Sequence, residues 1–235
     1  PVADARSEVK NNEAGAAATA LPEATPNAVW SQPYGYPTHN PGHLALTGDL
    51  SKRAWSASIG KGIDREDPVM PAPIAVENTV YAVDTDGQVS AFDAASGKRQ
   101  WKASTRAKKQ AKDELSAGGG LAYGRGLLVV TNGSRDVVAL NAQSGAEAWR
   151  ATLTAPMRGA PAVLAGRVYL TDAGNHVIAL DAANGAKLWS WDGIPEDIAL
   201  LGTPAPAVDD NSVIAALSSG QIVSLGLADG QPVWD

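Results

Sequence analysis

Histidine and acidic side chains are the residues of this chain that could hold a metal ion or transfer a proton. The histidines are His39, His43 and His176. His39 and His43 lie four residues apart in a Pro- and Gly-containing segment without a third ligand nearby, whereas zinc needs three or four convergent ligands. Acids cluster at residues 64–67 and at Asp209 and Asp210, and both clusters are typical of solvated loops. The sequence therefore predicts no catalytic residue and no metal site.

The composition excludes further classes of chemistry. The 235 residues contain no cysteine, so the chain has no thiolate ligand, cysteine nucleophile or disulfide. Lys plus Arg is 19 and Asp plus Glu is 25, and this acidic balance is unlike that of a general nucleic-acid-binding protein. The stretch 117–120 lacks the Lys and Ser/Thr of a phosphate-binding loop, and close backbone packing explains its glycines better. No apolar window is long enough to span a membrane.

Tryptophans recur 40 to 48 residues apart, each behind a similar local pattern. A small residue, an acid or Asn, Gly and Trp stand at offsets 0, 2, 6 and 10 in the segments 91–101, 139–149 and 179–189. A degenerate copy occupies 224–234, and a trace at 45–55 keeps only the spacing. We interpret these residues as a structural girdle that joins neighbouring units, and not as ligand-stacking groups: Trp55, Trp101, Trp149, Trp189 and Trp234, with Gly97, Gly145, Gly185 and Gly230.

Each repeat contains four short segments of strand character separated by turn residues. In the first repeat, strand patterns at 74–76 and 79–83 flank Glu77 and Asn78, and Asp86-Gly87 suits a two-residue turn of the primed type. Equivalent turns are predicted at Gly174-Asn175 and Ser219-Gly220. Four strands per 40 to 48 residues is typical of one blade of a β-propeller. The predicted fold class is therefore all-β, a propeller of four-stranded antiparallel blades.

The pattern also predicts the organisation of the chain. Residues 1–28 are predicted to be a flexible leader or tether, and 29–235 to form the propeller. A partial first blade covers 29–60, in which 41–46 and 52–55 are the third and fourth strands. Four repeats follow, at 70–105, 116–153, 158–193 and 203–235. Four blades and a half-blade do not close neatly, which favours the N-terminal part of a larger ring. A closed ring of four or five blades is the alternative.

The repeat resembles the tryptophan-docking repeat of quinoprotein-like eight-bladed propellers over about 29–235. Within that superfamily the chain is most similar to the lipoprotein propellers of the outer-membrane β-barrel assembly machine. The features that carry this likeness are the Ala- and Pro-rich leader, the segment 42–46 and the segment 157–161. The resemblance implies an eight-bladed ring and a non-enzymatic scaffold without a cofactor. It also implies the periplasmic face of the outer membrane, with a lipid anchor that is not present in this sequence.

The resemblance further implies a protein partner and a place for it. Met157 and Arg158 match a family loop that contacts the barrel-inserting subunit, beside acidic residues that precede the next blade. Here the stretch 201–204 carries no acid, and the nearest acids are Glu196 and Asp197. These four residues are the predicted partner-binding site. A purely structural ion pair between Arg158 and a nearby acid is the alternative.

Two further interpretations stay open at this point. A quinone-dependent dehydrogenase or a ligand-binding propeller shares the repeat. Such a dehydrogenase requires Ca²⁺ held by carboxylate and amide oxygens and typically a disulfide of adjacent cysteines, which this chain cannot form. Separately, 15 residues hold seven cations. They form either a solvated loop or a docking surface for an acidic partner or for anionic lipid headgroups: Lys98, Arg99, Lys102, Arg106, Lys108, Lys109 and Lys112.

Overall fold

The computed structural model describes residues 21–46, 48, 51–63, 70–107, 118–196 and 203–234. Regular structure in these ranges consists of β-strands, and no described segment forms a helix capable of crossing a membrane. The strands are β1 (Thr25–Pro26), β2 (Val29–Trp30), β3 (Leu44–Ala45), β4 (Ile74–Val76), β5 (Thr79–Val83), β6 (Gln88–Asp93), β7 (Arg99–Ser104), β8 (Gly120–Gly124), β9 (Leu127–Thr131), β10 (Asp136–Asn141), β11 (Glu147–Thr152), β12 (Ala162–Leu164), β13 (Arg167–Thr171), β14 (His176–Asp181), β15 (Lys187–Asp192), β16 (Ala207–Val208), β17 (Ser212–Ala216), β18 (Ile222–Gly226) and β19 (Pro232–Trp234).

These strands form four antiparallel sheets of consecutive strands, β4–β7, β8–β11, β12–β15 and β16–β19, which we call the first to fourth sheets. Strand β2 adds a fifth strand to the first sheet beside β4. The predicted β-propeller of four-stranded antiparallel blades is thereby confirmed. Each sheet lies within one of the four repeat segments inferred from the sequence. A total of eight blades stays a prediction.

The core lies between neighbouring sheets and not within any one of them. One apolar cluster joins the first and second sheets, the next joins the second and third, and the last joins the third and fourth. The middle strands of the first three sheets are therefore largely buried on both faces, as in Val137–Leu140 and Val177–Leu180, whereas Ile214 of β17 in the fourth sheet is 37% exposed. This explains why these strands are almost continuously apolar and do not alternate with polar residues.

All the girdle tryptophans except Trp234 dock onto a turn of the following sheet. The indole Nε1 of Trp101 donates to the carbonyl of Ala142 at 2.9 Å, and Trp149 donates to Ala182 at 2.9 Å. Trp55 and Trp189 make the same bond to Ala94 and Leu227, at 2.8 and 3.0 Å. The predicted joining role is therefore what these four side chains perform. Trp234 is 48% exposed and has no such partner among the described residues.

The glycine of the accepting turn is required by the tryptophan that lies on it. Gly97, Gly145, Gly185 and Gly230 all have φ between +69° and +75°. A Cβ atom at any of them would come within 2.5–2.6 Å of the docked indole ring, closer than packed atoms can approach. Glycine thus serves two demands at once, the left-handed backbone and the contact distance. In the first of these turns the hydroxyl and N–H of Ser96 donate to Asp93, which lowers the pKa of the Asp93 carboxyl.

The primed turns lie elsewhere than predicted. Of the pair Asp86-Gly87 only Gly87 has positive φ, and strands β5 and β6 are separated by four residues, so the two-residue primed turn expected there is wrong. At the equivalent later turns, only Asn175 and Gly220 have positive φ. Both central residues have positive φ at Arg125-Gly126 and at Ala165-Gly166, between the first two strands of the second and third sheets. The tight turns therefore join strands 1 and 2 of those blades.

The residues before the first sheet differ from the expected half-blade. Strand β3 (Leu44–Ala45) pairs in parallel with β1 (Thr25–Pro26), and residues 52–55 are not in a strand. The prediction of third and fourth strands at 41–46 and 52–55 is therefore wrong, although Trp55 docks as a fourth-strand tryptophan would. The fold also includes residues that were assigned to the leader, since Thr25 and Pro26 pair with β3 and Asn27 accepts the Tyr36 hydroxyl at 2.9 Å.

Residues 29–37 lie across the first strands of all four sheets, and we call this segment the strap. Trp30 pairs with Ala75 of β4, and the Ser31 carbonyl accepts the Tyr123 N–H at 2.7 Å. The Gln32 Oε1 accepts the Val163 N–H at 2.9 Å, and the Pro37 carbonyl accepts the Val208 N–H at 2.7 Å. Ala75, Tyr123, Val163 and Val208 are equivalent positions of the repeat, so the strap pairs the same edge group in each blade.

We expect replacement of Trp149 by Ala to lower the free energy of unfolding by about 3–5 kcal/mol, the usual cost of emptying a buried aromatic site. Its side chain is only 8% exposed and it docks between two complete repeats. Denaturant unfolding would measure the change. The matched control is Trp234→Ala, whose indole is half exposed and which we expect to cost under about 1 kcal/mol. Equal losses in the two variants would contradict the docking role.

Gln32→Ala tests the strap. Gln32 is 1% exposed, and its loss leaves the buried Val163 N–H without an acceptor. An orphaned buried donor costs about 1–3 kcal/mol, so the free energy of unfolding should fall by that amount. Gln143→Ala, at an exposed turn position, is the control and should be nearly neutral. If the two substitutions had the same effect, the strap would not hold the third sheet.

Candidate functional site

A cavity of about 360 Å³ lies where the four first strands begin. Its walls come from the four short segments that lead into these strands, at 70–72, 119–120, 158–160 and 203–205. Three residues of the strap, Trp30, Pro33 and Tyr34, complete the lining. We call it the axial cavity, because every described blade contributes to it. Its walls are mainly Pro, Ala and Gly, and Arg158 is the one charged residue among them.

Small residues of the walls allow the blade connections to approach each other closely. A Cβ atom on Gly118 would lie 2.5 Å from the Arg158 carbonyl, and one on Gly120 would lie 2.2 Å from the Ala160 Cβ. The Gly119 N–H donates to the same Arg158 carbonyl at 2.8 Å. The close packing predicted for these glycines is thereby confirmed. It fixes the backbone of Arg158 against the neighbouring blade.

Met157 does not contact the solvent. Its side chain is 0% exposed and packs in the apolar cluster between the second and third sheets, with Trp149 and Val168. Its N–H donates to Ser134 at 2.7 Å and its carbonyl accepts the Gly133 N–H at 3.1 Å. The expectation that Met157 touches a partner is therefore wrong. Met157 instead anchors the connection between β11 and β12 and so positions Arg158, whose side chain is partly exposed.

The predicted acidic companions lie in the next connection, which follows β15. Glu196 is exposed and its carboxylate accepts the Ser218 hydroxyl at 2.7 Å. Asn175 bridges the pair, because its side-chain oxygen also accepts that hydroxyl at 2.8 Å. Glu196 therefore joins the third and fourth sheets and does not line the axial cavity with Arg158. Asp197 falls outside the described residues.

The sequence patterns did not identify the strap as part of the candidate site. Tyr34 is 56% exposed, has φ of 63° and packs against His39 with ring centroids 4.6 Å apart and ring planes tilted by 51°. A non-glycine residue at positive φ is uncommon and is found preferentially at functional positions. The available signal was the density of aromatic residues in 30–36 outside any repeat. That signal alone does not reveal which groups the segment contacts.

Histidines and acids elsewhere make local hydrogen bonds. The buried Asp172 accepts the Nδ1 of His176 at 2.8 Å and the backbone N–H of Gly174 at 2.9 Å, so His176 closes a turn. His43 Nδ1 lies 2.7 Å from the Pro22 carbonyl. Asp209 accepts the N–H groups of Asn211 and Ser212, which lower the pKa of its carboxyl. Within the described ranges no three His, Asp or Glu side chains converge on a metal position.

The axial cavity does not fit a quinone held by a calcium ion. The described residues of its lining include no carboxylate and no side-chain amide, the side-chain oxygen donors that bind Ca²⁺. The chain also has no cysteine. The residues of the cavity are therefore better suited to binding an apolar group next to an anion than to binding a quinone with a calcium ion.

The repeated sheets, the tryptophan docking and the axial convergence of the first strands define a β-propeller of the tryptophan-docking class. Solved structures share this fold. The crystal structure of BamB from Moraxella catarrhalis gives a TM-score of 0.57 at 20% identity, covering 74% of this chain and 49% of that one. Quinohemoprotein alcohol dehydrogenase from Comamonas testosteroni also gives 0.57 at 20% identity, covering 72% and 34%. At such identities these structures show the fold alone.

Sequence comparison gives the family. The family model described as outer membrane protein assembly factor BamB matches residues 15–118 and 86–235. The protein of that name from Salmonella typhimurium is 35% identical over 182 residues, covering 77% of this chain and 46% of the relative. This chain belongs to the family of the outer membrane protein assembly factor BamB. It spans about half the length of the curated relative from Salmonella.

Proposed function

We propose that this chain is part of a non-enzymatic scaffold subunit of the outer-membrane β-barrel assembly machinery, acting at the periplasmic face of the outer membrane. Membership of the BamB family supports this role, since the relatives carry the name of an assembly factor. The rigid sheets carry no catalytic arrangement among the described residues. Recognition is therefore assigned to the segments that connect the blades, where such scaffolds present variable side chains on a fixed frame.

The observation that carries the proposal is the position of Arg158. Its backbone is fixed by the buried Met157 on one side and by the Gly119 N–H on the other. Its side chain lines the axial cavity, and the other described residues of that lining are uncharged. A guanidinium with five donors beside an apolar pocket is a frequent composition of interaction hot spots. We propose that this group docks an acidic residue of the barrel-inserting subunit.

Glu196 is a second contact residue of the proposed docking site. It is exposed on the connection that follows the third sheet and is held by Ser218. From this position its carboxylate would accept a hydrogen bond from a donor group of the same partner, while the Arg158 guanidinium donates to an acid of that partner. The geometry offers two contact points of opposite charge in successive connections, and opposite charges set the orientation of a partner more than its affinity.

Arg158→Glu is the test. We expect binding to the barrel-inserting subunit to weaken by about 2 kcal/mol or more, since a buried or half-buried charge contact is replaced by a repulsive one. The melting midpoint should barely change. Pull-down from membranes and a thermal melt of the same variant would measure both. Arg135→Glu, an exposed cation on the second sheet, is the matched control. Undiminished recovery with a folded Arg158→Glu variant would remove Arg158 from the site.

The dehydrogenase interpretation has an independent test. A bound quinone absorbs in the near-ultraviolet and visible range, beyond the absorbance of tryptophan and tyrosine. We expect the purified chain, incubated with the quinone and Ca²⁺ and then desalted, to retain only protein absorbance, because the cavity lacks oxygen donors for the ion. A retained chromophore in stoichiometric amount would contradict the non-enzymatic role.

A further inference from the structure

Charge is distributed unequally along the stack of sheets. Residues 51–107, which include the first sheet and the segment packed on it, have eight Lys and Arg against seven Asp and Glu, and one of these cations and three of these acids lie at 64–67, outside the described residues. Residues 118–196, which cover the second and third sheets, have six of each. Residues 203–234, which form the fourth sheet, have three acids and no cation. The charge balance therefore falls from nearly neutral in 51–107 and 118–196 to acidic in the fourth sheet, and the cations among the described residues of 51–107 are concentrated at the first sheet.

The cations of the first sheet lie on two adjoining pieces of chain. The segment 55–62 lies along this sheet: Trp55 docks on Ala94, Arg99 donates to the Ser58 carbonyl at 2.6 Å, and the Lys61 N–H donates to Asp84 at 3.0 Å. Lys102 neighbours Trp101, which faces the second sheet, so the alternation of a strand places Lys102 on the side of segment 55–62. We call this surface the basic flank: Lys52, Arg53, Lys61, Lys98, Arg99, Lys102 and Arg106.

Most of this charge is not neutralised locally. Lys61 and Arg106 each lie 3.9 Å from Asp86. Lys52, Arg53, Lys98 and Lys102 are exposed, and none of them forms an ion pair with a carboxylate of the described residues. Arg150 of the second sheet shows the opposite behaviour, since it pairs with Asp136 and Glu147 at 2.7 Å each. The basic flank therefore projects a positive field into solvent.

The residue types and the arrangement of the cations in the basic flank determine which kind of anion this surface binds. Its exposed cations are mostly lysines, point charges on flexible stems, and they do not present the fixed fork that binds a single carboxylate bidentately. None of them lines the axial cavity or the cavities bordered by 76–143, 125–188 and 36–210. A dispersed set of cations on flexible stems fits a dispersed set of anions. Lipid headgroups have this character.

We propose that the basic flank binds the anionic headgroup surface of a phospholipid bilayer. The acidic fourth sheet is repelled by the same surface, so the polarity of the chain orients it with the first sheet towards the membrane and the fourth sheet away from it. This inference goes beyond the proposed function and does not require Arg158. Each cation close to an anionic surface strengthens binding by about fivefold, and the effect falls off within a Debye length of about 8 Å at physiological salt.

The test uses vesicles of phosphatidylglycerol and phosphatidylcholine, with phosphatidylcholine alone as the neutral surface. We expect the 235-residue chain to co-sediment with the anionic vesicles at low salt and to be released from them at high salt. It should not co-sediment with the neutral vesicles. K98E/K102E should weaken binding by about 25-fold or more, since two attractive charges are lost and two repulsive ones are gained. Both positions are exposed, and a far-ultraviolet circular dichroism spectrum would check that the fold is kept.

The control is R135E/K187E, which changes the net charge by the same amount at two exposed cations of the second and third sheets. We expect this variant to bind vesicles nearly as well as the original chain. Equal losses in the two double variants, or no binding of the original chain to anionic vesicles, would overturn the proposal. Binding to polyglutamate without binding to vesicles would overturn it too, and would assign an acidic polypeptide instead. Arg158→Glu should bind vesicles normally, so this proposal and the partner proposal can fail separately.

Discussion

The bond from an indole N–H to a carbonyl of the next sheet is the constraint on which this fold depends. A single blade is apolar on both faces and cannot bury them alone. The tryptophan of one sheet covers the turn of its neighbour and donates to it, which fixes both the spacing and the rotation between the two sheets. Because the donor always lies in the earlier sheet and the acceptor in the later one, the stack has a direction. The exposure of Trp234 follows from that direction, since no described turn lies beyond it.

The strap solves a second problem, that of the sheet edges near the axis. The first strand of each blade presents one row of unpaired backbone groups, and an unpaired edge is a site of unwanted association. Two strap carbonyls and the Gln32 side chain accept the N–H groups of Tyr123, Val163 and Val208, and strand β2 pairs with the first strand of the first sheet. The same segment places Trp30 and Tyr34 in the wall of the axial cavity. Edge protection and the shape of the candidate site are thus properties of one piece of chain.

Structural features that recur in every repeat can be predicted from the sequence, whereas features that occur only once cannot. The Gly–Trp spacing occurs several times, so the docking of Trp101, Trp149 and Trp189 could be inferred without coordinates. The strap occurs once and binds backbone groups up to 171 residues away, as in the bond from the Val208 N–H to the Pro37 carbonyl, and no periodicity reveals such a pairing. Met157 was misplaced because an apolar residue beside an arginine can face inward or outward. Only the bonds of its backbone to Ser134 and Gly133 decide this.

The strap also determines an order of events during folding. Its acceptors for the second to fourth sheets are Ser31, Gln32 and Pro37, but their donors lie on strands that are complete only after residue 208 has joined its sheet. The segment that is synthesised before the blades therefore finds its full set of partners last. Contacts of such long sequence separation form slowly, because loop closure must precede them. Until then the first strands of the blades keep unpaired edges, which are open to pairing with other chains.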